Sequence, residues 1–89
     1  MRTCHIRVFG RVQGVFFRSS VRELAVKLGI CGWVKNNPDG SVEVMAQGSD
    51  SSIKKLVSFC NVGPQFAKVE RVEVKYVDTT PFNGFRIIY

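Results

Sequence analysis

Residues 3 to 9 alternate, with Cys4, Ile6 and Val8 on one face and Thr3, His5, Arg7 and Phe9 on the other, the period of a half-buried β-strand. The period then changes. Val21, Leu24, Ala25 and Leu28 fall at i, i+3, i+4 and i+7, an apolar stripe that predicts a helix over about residues 18 to 28. Glu23 and Lys27 can pair on its exposed side, and Gly29 supplies the stop. Residues 30 to 36 and 41 to 48 return to alternation on either side of Asp39-Gly40, a tight-turn pair. They predict a hairpin with Val42, Val44 and Ala46 inward and Ser41, Glu43, Met45 and Gln47 outward. Ser49-Asp50-Ser51-Ser52 offers caps to a second helix, whose Ile53, Leu56, Val57 and Cys60 repeat the stripe, and Gly63-Pro64 ends it. Residues 69 to 77 alternate through Val72, Val74 and Tyr76, and Phe85 to Tyr89 is a candidate short final strand. The predicted order is βαββαβ with a short final strand, an α+β domain spanning residues 1–89 with two helices packed on one face of an antiparallel sheet.

The chemistry is concentrated where the first strand meets the first helix. Gly10-Arg11-Val12-Gln13-Gly14-Val15-Phe16-Phe17-Arg18 brings two glycines and an arginine to a helix entrance. Glycine lets successive N–H groups point into one concavity, the helix N-terminus adds partial positive charge, and Arg18 adds a planar fork of donors. A phosphate or carboxylate fits such a cradle. A plain strand-to-helix turn with a surface arginine fits the same residues. The spacing matches neither the Walker loop, G-x-x-x-x-G-K-[ST], nor the dinucleotide fingerprint, G-x-G-x-x-G, so nucleotide binding is not implied.

A second candidate lies in the hairpin, within Gly32-Trp33-Val34-Lys35-Asn36-Asn37-Pro38-Asp39-Gly40-Ser41-Val42. Turn chemistry accounts for Asn37, because asparagine bonds locally to backbone and tolerates left-handed geometry. It accounts less well for Asn36, which lies on the strand side of the turn. There a side-chain amide presents both a donor and an acceptor and can hold a water in one orientation.

Taken together, the two segments give the chain a resemblance to the acylphosphatase family. Val8 to Arg18 carries the family's first signature, with Gly10, Val12, Gln13, Gly14, Val15, Phe17 and Arg18 in place. Gly32, Trp33, Val34, Lys35, Asn36, Gly40, Val42 and Gly48 carry the second. The resemblance covers nearly all of residues 3 to 89 and implies a ferredoxin-like, split βαβ sandwich. It also implies hydrolysis of the carboxyl–phosphate anhydride of acyl phosphates to a carboxylate and inorganic phosphate, with no metal, no cofactor and no covalent enzyme intermediate. The implied substrate-binding residues are Gln13, Gly14, Val15, Phe16 and Phe17, whose loop would offer backbone N–H groups to the phosphoryl group. The implied catalytic residues are Arg18, which would clamp that group, and Asn36, which would orient the attacking water. Inorganic phosphate is then the product and an expected competitive inhibitor.

Composition fits this reading without producing it. A chain of 89 residues with 45% hydrophobic content suits one domain. Such a domain buries roughly 60 to 65% of its unfolded surface. No run of apolar residues is long enough for a membrane span, and Met1-Arg2-Thr3 opens directly into a strand instead of a leader, so no membrane association and a cytoplasmic location are expected. Cys4, Cys31 and Cys60 are odd in number and set in apolar patterns, which predicts reduced packing thiols instead of disulfides or a zinc site. His5, the one histidine, has no evident carboxylate partner and is expected to be solvated, as are Asp39, Glu43 and Lys35.

Thirteen basic residues against seven acidic give a net charge of +6, spread along the chain with Lys54-Lys55 as the only adjacent basic pair. Spread charge suits encounter with a small anion more than a nucleic-acid track. RNA binding on the sheet would need exposed aromatics on the central strands, whereas residues 41 to 48 offer Ser41, Glu43, Met45 and Gln47, so no nucleic-acid partner is expected. A catalytically idle anion sensor is the other alternative. Intact Arg18 and Asn36, in a chain ending at Tyr89, favour a free-standing enzyme, and a monomer is expected.

Overall fold

In a computed structural model describing residues 1–89, the chain runs β1 (Arg2–Arg11), α1 (Phe17–Leu28), β2 (Cys31–Asn36), β3 (Val42–Gly48), α2 (Asp50–Cys60), β4 (Lys68–Val77) and β5 (Phe85–Ile88). The strands form one sheet in the order β4-β1-β3-β2-β5. Cys4, Ile6 and Val8 of β1 lie opposite Ala46, Val44 and Val42 of β3, and all six side chains are completely buried. Full burial of an aliphatic side chain is worth about 1.5–3 kcal/mol, so this block anchors the fold. Over it lie Val21 and Ala25 of α1 and Ile53, Leu56 and Cys60 of α2, from the two predicted stripes, joined by Phe17 at the start of α1. Leu24, Leu28 and Val57 pack at the margin of the core.

The helix ends follow local chemistry. Gly29 adopts φ 71° and its N–H closes the last turn of α1. The Ser49 side chain accepts from the Ser52 N–H to cap α2. That helix stops at Cys60, earlier than Gly63-Pro64 suggests, because the Asn61 side chain turns back to donate to the Val57 carbonyl at 2.9 Å.

Two outward expectations are corrected. Gln47 is only 7% exposed, because the segment linking β4 to β5 crosses the end of the sheet over it. Gln47 donates to Thr3 Oγ1 at 2.9 Å and accepts from the Phe82 N–H at 3.0 Å. The same crossover explains why the sheet is mixed instead of wholly antiparallel. β4 ends beside Thr3 and Gln47, at the end of the sheet where β2 begins, so a strand laid on the free edge of β2 must run parallel to it. Ser41, also expected outward, is 1% exposed and lies under the hairpin tip. On the edge strand β4, Val74 and Tyr76 align with Ile6 and Cys4 yet remain exposed, the ordinary fate of a sheet margin beyond the helix layer.

The end of β1 is shaped by a bulge. Its register against β4 slips between Phe9 and Gly10. Gly10 adopts φ 129°, and a Cβ there would overlap the Lys68 carbonyl oxygen, so glycine is required. A bulge adds local twist and bends the strand, and the residues that follow it meet the β2–β3 hairpin, where Gln13 bonds to Asn37 and Ser41.

Candidate active site

After the bulge the backbone turns twice through the left-handed region, at Gly14 with φ 73° and at Phe16 with φ 65° and ψ 24°. For a bulky residue such as Phe16 this conformation is strained by about 1–2 kcal/mol. The first intrahelical bond of α1 runs from the Ser20 N–H to the Phe16 carbonyl, so the N–H groups ahead of Ser20 have no helical acceptor. No side chain caps this end, and no acidic residue occupies the first turn. The positive end of the helix is therefore left uncompensated by the protein.

These groups open into a cleft of about 270 Å³ that brings together Gly14, Phe16, Phe17, Arg18 and Asn36, with Val12, Ser19, Ile87 and Tyr89 completing the walls. Arg18 carries the only charged side chain lining it. Its guanidinium lies 5.0 Å from the centroid of the Tyr89 ring, and Nη1 is 3.5 Å from the Ile88 carbonyl oxygen. Asn36 reaches the cleft from the other side as the last residue of β2, paired with Val42. Phe17 is 2% exposed and packs on Phe59 with ring centroids 6.1 Å apart. Phe16 is 74% exposed at the mouth.

Of the residues singled out in the sequence, Gln13 and Val15 do not line the cleft. Val15 packs against the core. The Gln13 side chain turns toward the hairpin, where Nε2 donates to the Asn37 carbonyl at 2.7 Å and to the Ser41 carbonyl at 2.9 Å. Ile87 and Tyr89 entered no sequence-based site. Alternation over 85 to 89 places them on one face, but only the parallel pairing of β5 with β2 sets that face beside Asn36.

The hairpin tip is a polar unit in its own right. Asn37 Nδ2 donates to Ser41 Oγ at 3.2 Å, and Ser41 Oγ donates to Asp39 Oδ1 at 2.6 Å. Arg7 Nη2, from β1, donates to Asp39 Oδ2 at 2.8 Å. The Ser41 hydroxyl and N–H, and then the Arg7 charge, hold the Asp39 carboxyl below its ordinary pKa. His5, expected to lack a partner, pairs with Glu43 at 2.5 Å, and Lys35 Nζ lies 3.9 Å from the same carboxylate. Burial raises the Glu43 pKa, but hydrogen bonds from His5 and Asn37 and the charges of His5 and Lys35 outweigh it, and the net shift is downward. Asp39, Glu43 and Lys35 are thus tied into the sheet and turn, not simply solvated. None of these carboxylates or His5 lines the cleft. No group of three or more His, Cys, Asp or Glu side chains is arranged to hold a metal ion.

The cysteines also stand apart from the cleft. Burial pushes the Cys4 thiol up to about 11. Burial, with the neighbouring Cys4, pushes Cys60 up to about 12. All three are free. Thiols so raised carry almost no thiolate at neutral pH and are poor nucleophiles.

Comparison with known proteins places this arrangement. A family model described as acylphosphatase matches residues 4–87. An acylphosphatase from Thiobacillus denitrificans is 47% identical over 85 residues, covering 96% of this chain and 94% of that one. An acylphosphatase from Thermococcus kodakarensis is 44% identical over 84 residues, covering 94% and 92%. The crystal structure of acylphosphatase from Bacillus subtilis matches the fold with a TM-score of 0.95 at 38% identity, covering 100% of both chains. Agreement that runs the length of the chain, in sequence and in fold alike, shows that it belongs to the acylphosphatase family, enzymes that act on acid anhydrides.

Proposed function

We propose that the cleft holds the phosphoryl group of an acyl phosphate and that hydrolysis occurs there by attack of one oriented water. The carrying observation is the convergence of the uncapped start of α1, Arg18 and Asn36 on a single cleft that no Asp or Glu side chain lines. The loop residues that line the cleft, Gly14, Phe16 and Phe17, offer backbone N–H groups to the phosphoryl oxygens. Arg18 adds a forked, charge-assisted clamp, each such bond worth roughly 1.5–3 kcal/mol. The left-handed turns at Gly14 and Phe16 aim successive N–H groups into one concavity. As the P–O bond to the acyl group lengthens, charge spreads over the phosphoryl oxygens, and the helix end and Arg18 are already in place to meet it.

Asn36 orients the attacking water. Its amide oxygen accepts a hydrogen bond from the water and directs the water's lone pair at phosphorus, in line with the departing carboxylate. A loose transition state of this kind asks for positioning more than for a strong base. The departing carboxylate is weakly basic, so a phosphoryl oxygen can take the water's proton. Positive charge comes from the protein itself, which supports a reaction independent of added metal. Inorganic phosphate, the product, presents the same oxygens and competes for the cleft.

All of these groups come from one chain with one core, which supports a single-domain monomer. No helix is long and apolar enough to cross a membrane. A cytoplasmic location accords with this reading.

The test is hydrolysis of benzoyl phosphate in the presence of EDTA. Wild type turns over with phosphate as a competitive inhibitor, and Asn36→Ala loses on the order of a hundredfold in kcat. Wild type that binds phosphate without turnover, or an Asn36→Ala variant with full kcat, would count against the reading.

A further inference from the structure

We propose that the Gln13 side chain is a positioning residue, a clamp that fixes the hairpin carrying Asn36 against the loop that holds the phosphoryl group. The inference rests on the role of Asn36 given above. The two halves of the site come from different elements, and correct attack requires a fixed distance between them. Gln13 spans the gap. Its Nε2 donates one proton to the Asn37 carbonyl at 2.7 Å and the other to the Ser41 carbonyl at 2.9 Å.

Those two carbonyls belong to the residues that close the turn, where the Asn37 N–H donates to the Ser41 carbonyl at 2.9 Å. Because both partners are acceptors, only the amide nitrogen can face them. A single group with two donors is needed, which a primary amide supplies and a carboxylate does not. The tip is already stiffened from within by the Asn37, Ser41 and Asp39 bonds and from below by Arg7. Gln13 therefore docks a rigid unit, with Asn36 at one end of it and Gly14, on the cleft wall, next to Gln13 in the chain. The groups that grip phosphate, Arg18 and the N–H groups at the start of α1, do not pass through this clamp.

Loss of the clamp should consequently lower turnover more than anion binding. A displacement of about 1 Å at a reacting group can cost on the order of a hundredfold. The experiment measures kcat on benzoyl phosphate, the inhibition constant of inorganic phosphate and urea unfolding for the full chain and for Gln13→Met, Gln13→Glu, Asn36→Ala and Gln13→Met/Asn36→Ala. Gln13→Met keeps length and loses both donors. Its kcat should fall about tenfold to a hundredfold while the phosphate constant stays within about threefold. In the Asn36→Ala background the same change should cost little more, because there is no oriented water left to misplace.

Gln13→Glu provides a second readout within one folded protein. An ionised carboxylate faces two carbonyl oxygens without a donor, whereas the protonated form supplies one. Its activity relative to wild type should therefore rise as pH falls through the carboxyl titration. Wild-type kcat in Gln13→Met, a parallel loss of kcat and phosphate binding, full additivity with Asn36→Ala, or a flat relative profile for Gln13→Glu overturns the clamp. An Asn36→Ala variant that keeps full kcat overturns the water-orienting role itself, and the clamp with it. An inactive Asn36→Ala beside a fully active Gln13→Met overturns the clamp alone.

Discussion

Tyr89 stacks on Arg18. The guanidinium from the first turn of α1 lies 5.0 Å from the centroid of a ring supplied by the opposite end of the chain. The cleft's only charged side chain is thus steadied by a residue that is itself 95% exposed, at the outer margin of β5. A flexible arginine in water loses rotamer freedom when it closes on an anion, and a partner that restricts it beforehand reduces that cost.

Replacing the ring should therefore weaken phosphate binding modestly. A cation–π contact at an exposed site is worth about 0.5–1 kcal/mol, a two- to fivefold change in affinity. Tyr89→Ala is expected to raise the inhibition constant of phosphate by that factor, and Tyr89→Phe to leave it near wild type. Arg18→Lys should do far more harm, since an ammonium cannot make the forked contact. Equal constants for Tyr89→Ala and wild type would show that the stacking does not contribute.

Phe16 offers a test of strain. It is the one non-glycine residue with positive φ, at 65°. In ordinary helix positions alanine is more stable than glycine by about 0.5–1 kcal/mol. Here the order should invert, because glycine alone enters the left-handed region without the penalty of about 1–2 kcal/mol. Phe16→Gly should be more stable than Phe16→Ala by about 1 kcal/mol in urea unfolding. Alanine equal to or above glycine would mean that the turn relaxes freely and stores no strain.

Much of this was legible in the sequence. The two helices, the hairpin and the first strand are written in periods of 3.6 and 2, and each turns the residues that its period selects into the core or onto its margin. Arg18 and Asn36 were legible as candidates because their positions, at a helix entrance and at a strand's end beside a turn, are local facts. What stayed hidden depends on register between distant strands. The pairing of His5 with Glu43 needs the alignment of β1 with β3. The burial of Gln47 needs the path of the segment after β4, and Tyr89 needs the parallel edge formed by β5. For the Gln13 side chain, nothing local shows that two carbonyls of the hairpin lie within its reach.

The tip of the hairpin predicts an acid response. Asp39 and Glu43 both have folded pKa values below their unfolded ones. Stability from such groups is fully present above the unfolded carboxylate range, ~4, and is lost as pH falls through the lower folded values. Urea unfolding from pH 7 down to pH 3 should show a progressive loss for wild type. Asp39→Asn should be less stable at pH 7 and lose less on acidification, because one of the contributing carboxylates is gone. An unchanged slope in that variant would assign the acid response to other groups.

The cysteines should separate by reactivity. Cys4 and Cys60 are completely buried, with thiols pushed up to about 11 and about 12. The thiolate is the reacting species, so a disulfide reagent at pH 8 finds almost none at either position and must wait for the protein to open. Cys31 is free and only half-buried, on β2. One thiol per chain should therefore label rapidly in the native protein and three in denaturant, with the two slow thiols tracking unfolding as urea is raised. Cys31 and Asn36 stand at opposite ends of β2, five strand positions or about 16 Å apart. A chain labelled only at Cys31 should keep its kcat and its phosphate inhibition. Rapid native labelling of two or more thiols would show that the layer between α2 and β1 opens without global unfolding.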